Sequence, residues 1–164
     1  MDFKEKEDTW PELDTLFNTC APIDGAVAIQ NLYEHLENGF LYMAMTDYPY
    51  ASDFLNPQPA WPVNASCEAF KDINVTMPQN GEPNVDPLTD YQREILTAVK
   101  TASDVYFNYT GQTNCTNYND TDATGNLDGA GWNVLACNQL AMPTAMGNMS
   151  MFIEEPFDYD AYTK

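Results

Sequence analysis

The sequence predicts an all-α fold, a small helical bundle with long loops. Two long segments repeat their apolar residues at spacings of three and four, which is one face of a helix. Period-two alternation, the signature of a half-buried strand, is scarce. The stretches between the periodic segments, at 49–62, 76–86 and 111–130, are rich in Pro, Asn and Gly and read as connections.

A short helix is expected around Trp10–Thr19. The clearest element runs from about Gly25 to Asp47, where Ile29, Leu32, Tyr33, Leu36, Phe40, Met43 and Ala44 form the apolar stripe. Glu34, His35, Glu37 and Asn38 fall on the other side, and Asp24 is placed to cap the start. Such a helix is about 34 Å long, and Tyr48-Pro49 ends it, because proline pushes its predecessor out of helical geometry. A shorter helix follows at Val63–Lys71. The next long helix is expected to begin at Asp86-Pro87, a capping residue followed by proline in the first turn. Its stripe is Leu88, Tyr91, Ile95, Val99, Ala102, Val105 and Tyr106. A last helix is expected at Gly131–Met142.

The 164 residues are 44% hydrophobic and 13% aromatic, with six lysines and arginines against 25 acids. A chain of this length suits one domain and buries about 70% of its unfolded surface. The spread of aromatic residues disfavours intrinsic disorder. A formal charge of −19 leaves no basic patch with which to engage phosphates, which argues against nucleic-acid or anionic-membrane partners. No apolar run approaches the length of a membrane span.

The compartment is read from two features. Cys20, Cys67, Cys115 and Cys137 are widely spaced and form no CxxC pair. Asn-x-Ser/Thr sequons occur at Asn64, Asn74, Asn108, Asn114, Asn119 and Asn148, more than chance provides, and mark candidate glycosylation sites. Both point to the secretory pathway, with a lysosomal or extracellular destination. The hydrophilic start, Met1 to Asp8, carries no signal-peptide pattern. The acidic and aromatic stretch at 143–164 reads as a tail leading elsewhere. The expectation is a segment of a longer protein.

The residues that carry chemistry are sparse. No GxSxG motif is present, and the serines are Ser52, Ser66, Ser103 and Ser150. His35, the single histidine, reads as a solvated residue on a helix surface, so no triad is assembled within the chain. Asp120-Thr121-Asp122-Ala123-Thr124-Gly125, followed by Leu127 and Asp128, imitates the start of a calcium loop. Its twelfth position is Gly131 where a bidentate glutamate is required, so the expectation is no metal and no cofactor. Met142, Met146, Met149 and Met151 cluster as core filler, or as a flexible apolar pocket wall. Phe152, Phe157, Tyr159 and Tyr162 interleave the acids of the tail, as in an interdomain linker.

Several phrases resemble one peptidase family. Leu41-Tyr42-Met43-Ala44-Met45-Thr46-Asp47-Tyr48-Pro49-Tyr50-Ala51-Ser52-Asp53-Phe54-Leu55 and Pro57-Gln58-Pro59-Ala60-Trp61-Pro62-Val63 are similar to a stretch of the lysosomal prolylcarboxypeptidase and dipeptidyl peptidase II serine peptidases. Tyr106-Phe107-Asn108-Tyr109-Thr110-Gly111-Gln112 and Gly131-Trp132-Asn133-Val134-Leu135-Ala136-Cys137-Asn138-Gln139 resemble further motifs of that family, as does Met149-Ser150-Met151-Phe152 followed by Glu155-Pro156. The resemblance runs in order from about Phe17 to Pro156.

It implies an α/β-hydrolase with a Ser-Asp-His triad and an inserted helical cap, and every matched phrase belongs to the cap. By that pattern the nucleophile precedes Met1 and the triad Asp and His follow Lys164. The whole of 1–164 is then a single cap segment, truncated at both ends and inert alone. Its implied partners are the missing hydrolase domain and a peptide substrate, and a homodimer is allowed. The pattern pairs Cys20 with Cys115, Cys67 with a cysteine upstream, and Cys137 with one just past the end. Ala145 stands where the family has a further cysteine. Met142 matches a residue that lines the pocket for the substrate's proline. Asp120 or Asp122 could hold a free amino terminus in the dipeptidyl peptidase variant. The competing expectation is a non-catalytic secreted glycoprotein that binds a peptide or a protease.

Overall fold

The computed structural model describes residues 3–73, 87–120, 129–139, 145, 147, 149, 154 and 156–162. They are helical, and the only β-pairings among them are two isolated bridges, Thr19 with Thr116 and Ser52 with Gln58. The chain divides into two compact units, Met1–Asn126 and Leu127–Lys164.

In the first unit, two 3₁₀ turns (Phe3–Glu5 and Glu7–Thr9) lead into α1, Trp10–Phe17. This helix stops earlier than the sequence suggests because Asn18 takes a left-handed conformation at φ 48°. The next turn is organised by Asp14, whose carboxylate accepts from the Thr19 hydroxyl at 2.7 Å and the Ile23 N–H at 2.8 Å. Helix α2 is Ala26–Met45. Its N-cap is Gly25 in extended geometry with no side-chain cap bond, so Asp24 stands one position too early to serve as the expected cap. At the other end the Thr46 hydroxyl donates to the Tyr42 carbonyl at 2.8 Å, and the helix is closed before Tyr48-Pro49 is reached.

Helix α3, Pro62–Cys67, runs on into a 3₁₀ turn at Glu68–Phe70. Helix α4, Asp90–Phe107, starts three residues after Pro87. Its start is set by a capping box in which the Gln92 N–H donates to Thr89 Oγ1 at 3.2 Å and the Thr89 N–H to Gln92 Oε1 at 2.9 Å. Thr89-x-x-Gln92 was readable as such a box and marks the start better than Asp86-Pro87. Ala98, Ala102, Ser103 and Tyr106 form the buried line of α4, which packs against α1, α2 and α3. The small residues on that line let the helix axes come close.

Two apolar clusters result. The larger gathers Leu13, Phe17, Ile23, Ala28, Ile29, Leu32, Leu88 and Tyr118. The smaller is Met43, Leu55 and Tyr106, with Phe40, Val105 and Phe107 packed against it. The Glu12–Arg93 ion pair ties α1 to α4 at the surface. The second unit holds α5, Gly129–Gln139, and a single turn, α6, Tyr159–Tyr162, whose Ala161 N–H donates to the Asp158 carboxylate at 3.0 Å. Trp132, Val134 and Leu135 of α5 are exposed. Among the described residues no helix is long and apolar enough to cross a membrane.

A disulfide joins Cys20 to Cys115 across 95 residues. Around it the Cys20 N–H donates to the Thr116 carbonyl at 3.0 Å and the Thr116 N–H to the Asn18 carbonyl at 2.8 Å. The Thr116 hydroxyl adds a 2.7 Å bond to the Phe17 carbonyl, and the Tyr118 hydroxyl one of 2.8 Å to the Pro22 carbonyl. Closing a loop of this length stabilises by about 4–5 kcal/mol in the chain-entropy description. A Cys20→Ser, Cys115→Ser double variant is expected to lose stability on that order, measured by urea unfolding of both proteins under non-reducing conditions.

Candidate functional site

The chemistry-bearing side chains of the first unit meet where α2, α4 and the 113–120 segment converge. Here a cavity of about 280 Å³ is lined by His35, Lys100, Asp104, Phe107, Asn117 and Asp120, among others. Lys100 and Asp104 sit one turn apart on α4 and pair at 2.6 Å, Lys100 mostly withdrawn from solvent and Asp104 half-buried. This is the i,i+4 arrangement that helices favour.

His35 corrects the sequence reading. It is only 6% exposed, not a solvated surface residue. Its ring stacks on Phe107 with centroids 3.9 Å apart and planes 16° apart. The Asp120 carbonyl lies 3.0 Å from Nδ1, and since a carbonyl only accepts, Nδ1 carries the proton. In the neutral ring Nε2 is then an acceptor.

The reason for the burial lies one turn further along α2. A Cβ built on Gly39 would overlap the Phe107 ring, so glycine there admits the end of α4 against α2. The buried residues of α2 are accordingly Ala28, Ile29, Leu32, His35, Gly39 and Met43: Ile29, Leu32 and Met43 of the expected stripe stay buried, while His35 and Gly39 take the buried line where Tyr33, Leu36 and Phe40 were expected. Small residues at 28 and 39 in register with His35 were the available signal, since they mark a close approach rather than a solvated face.

Burial lowers the His35 pKa below 6.5, and the nearby Lys100 charge acts in the same direction. The bond to the Asp120 backbone and the Asp120 charge oppose them. Neutral His35 therefore supplies a hydrogen-bonding ring and not a charge at neutral pH. Ser103 also lines the cavity, but its hydroxyl donates to the Lys100 carbonyl at 2.8 Å, within its own helix. No serine–histidine hydrogen bond occurs among the described residues, and no group of three or more His, Cys, Asp and Glu there could hold a metal ion.

Of the residues singled out from sequence, Asp120 is exposed at the cavity rim, with its carbonyl on His35. Asp122 and Met142 lie outside the described residues. Asn64, Asn114 and Asn119 are exposed. Asn108 is half-buried, and its amide is doubly bonded to the Thr113 backbone, accepting from the N–H at 2.8 Å and donating to the carbonyl at 3.1 Å. Asn74 and Asn148 lie outside the described residues. Cys67 is exposed and unbridged.

Comparison with known proteins gives this arrangement a context. No profile of a known protein family matches the chain. Individual relatives do. The lysosomal Pro-X carboxypeptidase of Bos taurus is 34% identical over 142 residues, 87% of this chain and 25% of that protein. The chain corresponds to a segment of the lysosomal Pro-X carboxypeptidase family. The Homo sapiens member is 34% identical over 148 residues, 82% of this chain and 26% of its own length. A nematode relative from Caenorhabditis elegans, prolyl carboxy peptidase like protein 5, is 31% identical over 116 residues, 68% of this chain. The chain thus spans about a quarter of the length of the curated carboxypeptidases it matches.

Two outcomes are expected from the His35–Phe107–Gly39 contact. Gly39→Ala forces a methyl group into the Phe107 ring and should destabilise by about 1–3 kcal/mol in chemical unfolding, with Asn38→Ala as the control on the same helix. For pH, the folded-state pKa of His35 lies below the unfolded value, so the unfolded chain takes up the proton first. This contribution is complete above pH 6.5 and is lost as the pH falls through the folded pKa. The stability difference between the native chain and His35→Gln should therefore move against the native chain between pH 7.5 and 5; a pH-independent difference would show that His35 does not titrate in this way.

Proposed function

We propose that the chain is the substrate-gating helical cap segment of a luminal serine exopeptidase acting beside proline, and that it is inert alone because the triad lies outside it. The observation that carries this reading is the 34% identity to Pro-X carboxypeptidases over most of this chain but only a quarter of theirs. The helical architecture agrees with a cap. So does the state of His35: a ring pressed on Phe107, with its Nδ1 proton given to a backbone carbonyl and no serine among the described residues bonded to Nε2, is not set up as the general base of a triad.

In the complete enzyme, peptide bonds are broken through an acyl-enzyme formed by the serine of the hydrolase domain, and the cap restricts access to a chain end. Met142 is assigned to the wall of the proline pocket, where shape and apolar contact suffice for a ring that has no N–H. Asp120 or Asp122 would matter if a free amino terminus had to be held. The named relatives are carboxypeptidases, which favours recognition of the other end of the peptide. The implied partners are the α/β-hydrolase domain and the peptide, and the implied compartment is the lysosome or the exterior, where the Cys20–Cys115 bond is at home.

The purified 164-residue chain should release no amino acid from a blocked Pro-Phe dipeptide at pH 5 or 7.5. An antibody to it should detect, after deglycosylation, a native polypeptide several times heavier than 18.4 kDa. Serine-inhibitor-sensitive hydrolysis by the chain itself would overturn the reading, as would a native band at the mass of the chain.

A further inference from the structure

His35 brings a hydrogen-bond acceptor to a cavity wall and leaves it uncommitted. The ring is 6% exposed, Nδ1 is taken by the Asp120 carbonyl, and one face is taken by Phe107. Nε2 has no hydrogen-bond partner among the described residues. No fully buried polar side-chain atom there lacks a partner, so Nε2 is not sealed in, and the open space that His35 borders is the cavity. An imidazole taken this far out of water gives up its charge and most of its hydration. A donor on a bound guest restores the hydrogen bond that Nε2 has lost.

The rest of the wall selects the kind of guest. Apart from Phe107 and Cys115, every residue that lines the cavity is polar. The Lys100 ammonium has three donors, and its bonds to the two Asp104 oxygens leave one over. The side-chain amides of Asn56 and Asn117 add donors and acceptors from two further segments. An anion is disfavoured, because Asp104 already neutralises Lys100 and Asp120 adds negative charge at the rim. A cation is disfavoured too, because the Lys100 charge is felt at the imidazole. Hydroxyl groups are neutral and both donate and accept, so they suit the acceptor on His35 and the donors beside it together. The cavity measures about 280 Å³, against about 30 Å³ for one water in the liquid, which suits a single sugar ring and not a long chain. We infer that the His35 cavity binds a neutral pyranose sugar, with hydroxyls that donate to His35 Nε2 and accept from Lys100. Two sources share that chemistry, a free saccharide and a sugar of the chain's own glycans, since the sequon residue Asn108 lines the same cavity. Binding of this kind needs no catalytic machinery, so it holds for a cap or for a free-standing protein.

The test reads the histidine directly, because the chain has only one. The disulfide-bonded chain, made without glycans, is titrated at pH 7.5 with D-mannose, D-galactose and N-acetyl-D-glucosamine while its imidazole nitrogen NMR signals are followed. At least one sugar should shift the Nε2 signal saturably, with a Kd on the order of 1 mM, while Nδ1 stays protonated. Cyclohexanol, a ring of the same size with a single hydroxyl, should leave Nε2 unmoved. Lys100→Met and Asn56→Ala should each weaken the sugar about fivefold with the thermal midpoint preserved. If one variant fails to fold, the other carries the test. The glycosylated chain separates the two sources. A site for free sugar responds there as before. A site filled by the chain's own glycan stops responding, and Thr110→Ala, which removes the Asn108 sequon but keeps Asn108, restores the response. No Nε2 shift with any of the three sugars, an equal shift with cyclohexanol, or variants that bind normally would overturn the inference. So would a larger response to acetate or methylammonium, because the site would then be built for an ion.

Discussion

The clamp between residues 17–22 and 115–118 is the constraint on which the first unit depends. α1 and the segment that follows α4 lie far apart in sequence, and bringing them together carries a large loop-closure cost. One covalent bond removes most of that cost from the folded side of the balance, and the backbone pairing of Asn18 and Cys20 with Thr116 then sets the register. With the register set, Tyr118 enters the larger core and reaches the Pro22 carbonyl. Two residues later the chain passes over α2 at His35. The cavity and the His35 hydrogen bond are thus downstream of a single crosslink.

The α2–α4 contact is resolved by a size match and not by charge. Gly39 offers a gap, Phe107 fills it, and the His35 ring lies flat on the Phe107 face instead of reaching into water. Stacking and the Asp120 carbonyl together satisfy the ring in its neutral form, which is the form that burial favours. The same arrangement withdraws the protein's single histidine from acid–base work. A proteolytic family origin is therefore not expressed through this ring.

Hydrogen bonding in the 46–61 loop shows the opposite use of packing. There the buried partners are polar, Thr46 with Gln58, and the large rings are left outside. In a loop with no regular structure, bonds of that kind are the available means of making the backbone rigid.

Much of the architecture was legible in the sequence. The helix class, the positions of α2 and α4 to within a few residues, and the kinship with a peptidase family all follow from local pattern, because amphipathic spacing and motif order survive without coordinates. Helix starts were less secure, since Thr89 with Gln92 and Asp86 with Pro87 are competing local signals and the stronger cap wins. The placement of His35 could not be decided locally. Its face of α2 is assigned to solvent by the large apolar residues, and to the core only once Phe107, far along the chain on α4, is known to enter at Gly39. Likewise the sequence shows Trp61 between prolines but not that its ring is held outward on a left-handed backbone. What the sequence determined by itself was composition, period and kinship. What only the tertiary structure decided was which face is buried and which rings are displayed, because those depend on contacts between residues that are neighbours only after the chain has folded.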